Sequence, residues 1–363
     1  MVCFVFQAYC KTDTRNTSEM LKNCLKVLSR PSCRHNIGLE TLYCFQGGSS
    51  SVENKKRTED GLDLAKKEFL ERIDRLTREN LNPDIAVPGL RVYRRVEPIG
   101  PIEYTHQSSV CLIAQGTKEI LLGNETLCYD KDHFLVTSID LPIIAQVPAA
   151  TPERPYLGLA FSLDQKEISQ VIAEGQLPPQ PIVPSKRAMT VVTMTEPLIL
   201  AFLRLLDLVN EPEAIPFLSP VISREILYRL LTGEGGEHLR QIGLMGSQNA
   251  QILKAVEWLK MNFAQPLVVE HLANHCQMSL SAFHHHFRRV TALSPLQYQK
   301  RLRLQEARRL MLTTAMDVTR TAFKVGYESS SQFCREYVRL FGNAPFRDIR
   351  ALKASPGVSR SIA

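Results

Sequence analysis

Between His271 and Arg350 the chain writes the same unit twice, first as HLANHCQMSLSAFHHHFRRVTALSP and then as TAFKVGYESSSQFCREYVRLFGNAP. A repeat of this kind constrains the fold more than any single motif, because both copies must bury the same face in the same way. Ala273 aligns with Ala322 and Met278 with Tyr327 at an offset of 49, whereas Phe287 aligns with Tyr337 and Pro295 with Pro345 at 50. One residue has therefore been added inside the second turn. Each copy predicts two short helices joined by a tight turn, which is helix-turn-helix grammar. In the first copy Val269, Leu272, Ala273 and Cys276 recur at helical spacing, Ser279 caps a new helix, and Phe283, Phe287 and Val290 face the core. In the second, Val318, Ala322 and Val325 form the supporting face, Gly326 permits the turn, and Phe333, Tyr337 and Leu340 anchor the helix that follows.

The outward faces of the two second helices are polar and basic. One carries Ser281, His284, His285, Arg288 and Arg289, the other Ser331, Arg335 and Arg339, and side chains of this type read groove edges. Between the copies, LQYQKRLRLQEARRLMLT at 296–313 holds neither Pro nor Gly and keeps its apolar residues in helical register. At about 1.5 Å per residue it is roughly 27 Å long. Successive major-groove faces recur at about 34 Å along B-form DNA, so two recognition helices held apart by such a rod can enter consecutive groove segments without a second chain.

These residues resemble the AraC/XylS family of transcription regulators. The stretch GYESSSQFCREYVRLFGNAPFRDIR is similar to the family signature nearly throughout, and the resemblance covers roughly residues 248 to 352. It departs from the pattern twice: Ala292 stands where the first copy usually has Gly, and Tyr337 where the second usually has Phe. A helix end in left-handed conformation prefers Gly, so Ala292 is expected to tighten or shift the end of the first recognition helix. The resemblance implies double-stranded DNA and RNA polymerase as partners, and it puts His284 and His285 at base-reading positions. Arg335 can bond guanine O6 and N7 together, the alternative being a phosphate contact. Arg288, Arg289 and Arg339 lie toward helix ends, where phosphate is the expected contact. Lys300, Arg301 and Arg303 on the connecting helix are expected to be solvated or turned to the DNA backbone.

Charge separates the chain into parts with different partners. Residues 248–353 hold 16 Lys and Arg against 7 Asp and Glu, a net of +9, whereas residues 61–247 hold 18 against 24, a net of −6. The basic part suits a phosphate backbone and the acidic part does not. Residues 1–60, with GGSSSVENKKRTED near their end, are expected to be a poorly ordered extension, and 354–363 a tail. An amphipathic helix follows from Gly61 to Asn80. From Pro88 to about Leu163 come short apolar runs (VCLIAQ, KEILL, ETLCYD, HFLVTS, LPIIAQV, YLGLAFSL), with Gly123-Asn124 as a hairpin turn. These predict a small barrel or sandwich. A short helix at 164–174, an extended crossing QLPPQPIVP and two longer helices, about Glu196–Val209 and Phe217–Thr232, complete this half. The second is expected to bury Val221, Ile222, Ile226, Leu227, Leu230 and Leu231, and the pair to carry a homodimer contact. GEGGEHLRQIGLMG at 233–246 reads as a linker.

This layout, with REILYRLL at 224–231, is similar to the N-terminal half of AraC-family members, which binds an effector or mediates dimerisation. The expected architecture is therefore α+β: a cupin-like barrel with a helical hairpin at 61–240, a linker at 241–247, and an all-α DNA-binding domain of two helix-turn-helix units at 248–353. A small-molecule effector is implied, and no cofactor.

Three other function classes weigh less. A cupin-type metal enzyme fused to the DNA-binding module needs converging His, but the barrel segment offers only His106 and His133, far apart and with no His-x-His pair. The run His284-His285-His286 cannot converge on one ion either, since helix neighbours point about 100 degrees apart. No catalysis and no metal are expected. A DNA-packaging protein leaves the acidic half idle. Cys111 and Cys128 could sense an electrophile or oxidant, although buried cysteines need no function. The nine cysteines show no pair at two-residue spacing and read as reduced thiols. With no run of eighteen apolar residues and no basic leader, no membrane contact and a cytoplasmic location are expected.

Overall fold

The helix-turn-helix half is built from alternating caps and aromatic anchors. The computed structural model describes residues 60–175, 177–178, 187–244, 247–314 and 316–354. The expected extension at 1–59, most of the crossing QLPPQPIVP and the tail from 355 lie outside the described residues.

The chain enters through α1 (60–77), which buries Ala65, Phe69 and Ile73. Among the described residues nine strands follow: β1 (Leu90–Arg95), β2 (Ile99–His106), β3 (Ser109–Gln115), β4 (Lys118–Leu122), β5 (Glu125–Tyr129), β6 (His133–Thr137), β7 (Leu141–Val147), β8 (Tyr156–Ser162) and, after α2 (Gln165–Glu174), β9 (Met189–Thr193). They form two sheets, β1-β8-β3-β6-β9 and β2-β7-β4-β5. The expected barrel is thus a two-sheet sandwich: apart from the β4–β5 hairpin and β8 with β9, consecutive strands switch sheets, and among the described residues no hydrogen-bonded ladder joins the two. Sequence reading did not single out β1, β2 or β9. In β1 half of the alternating positions are arginine, and β2 is broken by Gly100-Pro101 at a register shift.

The five-stranded sheet is apolar on both faces. Val92, Leu112, Leu159 and Phe161 pack on α1 and on α3 (Glu196–Asp207), where Phe161 meets Phe202 edge-on at 6.0 Å. Cys111, Ile113, Tyr156 and Ala160 face Ile120, Tyr129 and Ile143 of the other sheet. Next, α4 (Ile215–Thr232) pairs with α3 as the expected hairpin. Val221 is a correction, being 63% exposed; with Phe217 and Tyr228 it forms an apolar stripe that nothing covers among the described residues. The stretch read as a linker is mostly α5 (Gly236–Gly243), which buries His238, Leu239 and Ile242. Its glycines misled the reading: Gly235 takes φ +76 at the helix start, and Gly243 lets Ile172 of α2 approach.

Beyond it run α6 (Gln248–Asn262), α7 (Val269–His275), α8 (Leu280–Thr291), α9 (Pro295–Thr313), α10 (Val318–Lys324), α11 (Ser330–Phe341) and α12 (Pro345–Ala354). The repeat is visible atom by atom. Ser279 and Ser329 cap α8 and α11 through the amides of Ala282 and Gln332, and the caps differ by 50 positions, so the inserted residue is Glu328. Phe283 and Phe287 are fully buried under α8, as Phe333 and Tyr337 are under α11. The rod α9 starts on Ser294, whose hydroxyl accepts from Gln297 N while the Gln297 side chain answers the cap amide. Gly326 has φ +90, and a Cβ there would stand 2.1 Å from the Ala264 carbonyl oxygen; only glycine passes.

Candidate nucleic-acid interface and interior cavity

On α8 the side chains of Ser281, His284, His285 and Arg288 are exposed. They sit at spacings of three and four, so they share one helix face. On α11 Ser331, Arg335 and Arg339 are exposed in the same way. The structure thus brings seven of the eight expected DNA-facing residues onto two outer faces. Arg289 is the exception: it is half-buried, and its Nη2 donates to Gln248 Oε1 at 3.2 Å at the start of α6. Ala292 does take the left-handed conformation, with φ 63, and ends α8 against the β4–β5 turn, where a Cβ on Gly123 would lie 2.8 Å from its own.

The connecting helix corrects the sequence reading, because its cations are structural. Lys300 pairs with Glu336 of α11 at 3.0 Å. Arg303 donates to the carbonyls of Phe263 (2.7 Å), Gln265 (2.9 Å) and Gly326 (2.8 Å), satisfying orphaned acceptors at a helix end and a turn. Arg301 reaches the sheet instead, 3.5 Å from Glu103. Arg308 and Asp348 form a buried bidentate pair at 2.8 and 2.7 Å, and Tyr337 Oη donates to the same carboxylate at 2.7 Å. That third bond accounts for Tyr where the family pattern has Phe.

Sheet and helices meet along a polar seam that sequence reading missed. Tyr298 Oη donates to the Asp140 carbonyl at 2.6 Å, Lys260 pairs with the Asp140 carboxylate, and Thr105 bonds Gln305. Arg187 holds the end of the first recognition helix: its Nη1 donates to the carbonyls of Arg288 and Arg289, both at 2.9 Å, while Nη2 binds Glu125 at 2.6 Å. A cation at a helix C-terminus complements its dipole. Burial pushes the Glu103 carboxyl up to about 7, against the opposing pull of Arg301, and one of its oxygens makes no hydrogen bond among the described residues.

A cavity of about 740 Å³ opens at one end of the sandwich. Its walls come from β1 and β8 (Tyr93, Arg95, Tyr156, Ala160), from the other sheet (Tyr104, His106, Lys118, Tyr129) and from the helical half (Lys260, Phe263, Leu302, Gln305). Cys111 lies on this wall, and burial pushes its thiol up, away from the reactive thiolate. Cys128 is exposed; its strand neighbour Tyr129 points inward, so Cys128 points away. The two cysteines are not brought together. His106 and His133 sit in different sheets, the first with its imidazole pushed down to about 3 by burial, the second bonded to Asp130 at 2.9 Å.

The fold defines a class, a protein carrying two helix-turn-helix units behind a two-sheet domain. Residues 86–238 match the family described as AraC-type transcriptional regulator N-terminus, and residues 272–350 match Helix-turn-helix domain. The chain belongs to the AraC/XylS family of transcription regulators. It is 35% identical over 136 residues to the HTH-type transcriptional activator RhaS of Escherichia fergusonii, which is 37% of this chain and 47% of that protein. The RhaS of Citrobacter koseri is 33% identical over 133 residues, 36% and 46% of the two chains. The chain thus spans about half the length of the curated relatives it matches. Among solved structures, apo ToxT from Vibrio cholerae is 10% identical with a TM-score of 0.48, covering 72% of this chain and 97% of that one. The DNA-binding domain of AdpA in complex with a target DNA is 28% identical with a TM-score of 0.28, covering 29% and 94%.

Proposed function

We propose that this protein is a sequence-specific DNA-binding transcription activator of the AraC/XylS type, controlled by a small effector held in its N-terminal half. The observation that carries this reading is the pair of recognition helices, each capped, anchored by two buried aromatic rings and presenting an unburied polar face. Ser281, His284, His285, Ser331 and Arg335 are the base readers, and Arg288 and Arg339 hold phosphate, with Arg289 once released from Gln248. Residues 248–353 constitute the DNA-binding part and 61–240 the regulatory part, a sandwich of cupin-like type that takes the effector in its cavity. The uncovered stripe of Phe217, Val221 and Tyr228 supports a homodimer that binds repeated half-sites. RNA polymerase is the further partner, and the site of action is the cytoplasm; no helix among the described residues is long and apolar enough to cross a membrane. No catalysis is assigned, since His106 and His133 do not converge.

Sequencing of genomic fragments bound by the full chain, followed by gel shift on the recovered site, tests this. A site preferred by at least about a thousandfold over random DNA is expected. Salt-dependent binding with no preferred sequence would sink the regulator reading and favour packaging.

A further inference from the structure

We propose that the interior of the sandwich binds a small organic monoanion, its charged head on the Lys118 ammonium and the Tyr129 hydroxyl, and its apolar body against Tyr93, Tyr156 and Val147. The inference rests on the effector reading above and names the effector's charge. Lys118 and Tyr129 are register partners across the β4–β5 hairpin, so both side chains rise from the same face, the one turned toward the five-stranded sheet. Lys118 Nζ donates to Tyr104 Oη at 3.2 Å and stands 5.8 Å from that ring's centroid, and it makes no ion pair among the described residues. The Tyr129 hydroxyl is buried and has no oxygen or nitrogen partner among them, only the weakly accepting Cys111 thiol beside it. An ammonium without a counter-ion and a phenol with no oxygen or nitrogen acceptor, side by side in a cavity, are two costs that one bound anion removes.

The acidic residues around the cavity do not answer that charge. Asp140 is paired with Lys260 and Glu306 with Arg309. Glu103 is on the outer face of its strand, toward Arg301, and Asp84 lies on the loop before β1. Burial keeps His106 neutral and pushes the phenols of Tyr129 and Tyr156 up, so they remain donors. On β8 the small Ala160 lines the cavity, while Gly158 makes way for the Tyr156 ring, since a Cβ there would stand 2.9 Å from Tyr156 Oη. The Lys118 ammonium calls for a negative head, and the tyrosine rings set an organic body.

Isothermal titration of the full chain with benzoate and hexanoate, against benzamide, hexanamide and inorganic phosphate, tests the assignment. Both carboxylates are expected to bind more tightly than their amides and than phosphate. Lys118→Met is expected to weaken the carboxylates by roughly ten- to a hundredfold, the loss of one charge-assisted hydrogen bond, and to leave the amides unchanged. Tyr129→Phe is expected to weaken them by severalfold. Thermal unfolding of each variant checks that the sandwich is intact, and Lys166→Ala serves as a surface control. Amides binding as well as acids, phosphate binding as well as either, no binding by the panel, or an intact Lys118→Met that still binds carboxylates would each overturn the proposal. Gel shift on the genomic site is run in parallel: DNA binding without anion binding overturns this inference alone, and anion binding without DNA binding overturns only the regulator reading.

Discussion

Replacing Asp348 by alanine is expected to unlatch the second helix-turn-helix unit while leaving the first intact. Asp348 is 5% exposed and Arg308 7%, and the guanidinium also lies 4.3 Å over the Phe341 ring. Removing one partner of a buried pair strands the other charge in low dielectric, which costs about 3–5 kcal/mol. Tyr337→Phe removes one bond to a carboxylate that keeps both bonds to Arg308, so its cost falls at the low end for a charged acceptor, about 1.5 kcal/mol. Burial, with Asp348 beside it, pushes the Tyr337 phenol up, so it stays a donor at all working pH. The double change Arg308→Met with Asp348→Leu is expected to cost less than Asp348→Ala alone, because no charge is left unpaired. Hydrogen exchange in α11 and α12 reads the local free energy, and fluorescence of Trp258, the single tryptophan, reports on α6 in the first unit. Protection in α11 that falls by under about 1 kcal/mol in Asp348→Ala, or a double variant no more stable than that single one, would refute the reasoning.

Arg335→Ala is expected to cost about 1–3 kcal/mol on the preferred site with little loss on random DNA, and competition gel shifts would expose equal weakening of both as the contrary result. Gly326→Ala is expected to cost more than about 2 kcal/mol, from its positive φ and the clash with Ala264; an unchanged melting curve would be inconsistent with that turn. Ala292→Gly relieves a left-handed alanine and gives up its contact with Gly123, for a net gain of about 0.5 kcal/mol, read as slower exchange at the end of α8. Glu103 has a raised folded pKa, so its burial weighs nothing below the ordinary value of 4.5, destabilises increasingly as pH rises toward about 7, and levels off above. Glu103→Gln is expected to flatten that slope and to add up to about 3 kcal/mol at pH 8, and a slope that survives in the variant would assign it elsewhere.

The helical half was legible because its constraints are local. Caps, aromatic anchors at four-residue spacing and a glycine in the turn all lie within a few residues of what they determine, and a repeat supplies each of them twice. The strands were legible where apolar residues ran uninterrupted, as in VCLIAQ and YLGLAFSL, and illegible where function or a bulge breaks the alternation. In β1 the positions on the cavity side are Arg91, Tyr93 and Arg95, so a strand facing a polar cavity carries the pattern of a surface segment. Val221 failed for the converse reason: its spacing was right for a helix stripe, but a stripe does not say whether the surface covering it belongs to the same chain.

The seam was not legible at all, and its chemistry explains why. Each of its members has an ordinary local reading: Arg301 as a solvated helix cation, Glu103 as an outward strand residue, Arg187 as part of a basic loop, Asp140 as a turn. What joins them is sequence separation of 100 residues or more, with Arg187 to Arg289 at 102 and Tyr298 to Asp140 at 158, and no local pattern carries information over that span. Yet these contacts connect the two readings of function. The outer face of the four-stranded sheet holds Arg301 and Gln305 of the rod between the recognition helices, while its inner face carries Lys118 and Tyr129. The proposed anion would meet one side of a sheet whose other side grips the rod, and the Glu125–Arg187 contact leads from the same β4–β5 hairpin to the end of α8. The hairpin that supplies the uncompensated ammonium is thus the hairpin that abuts the first recognition helix.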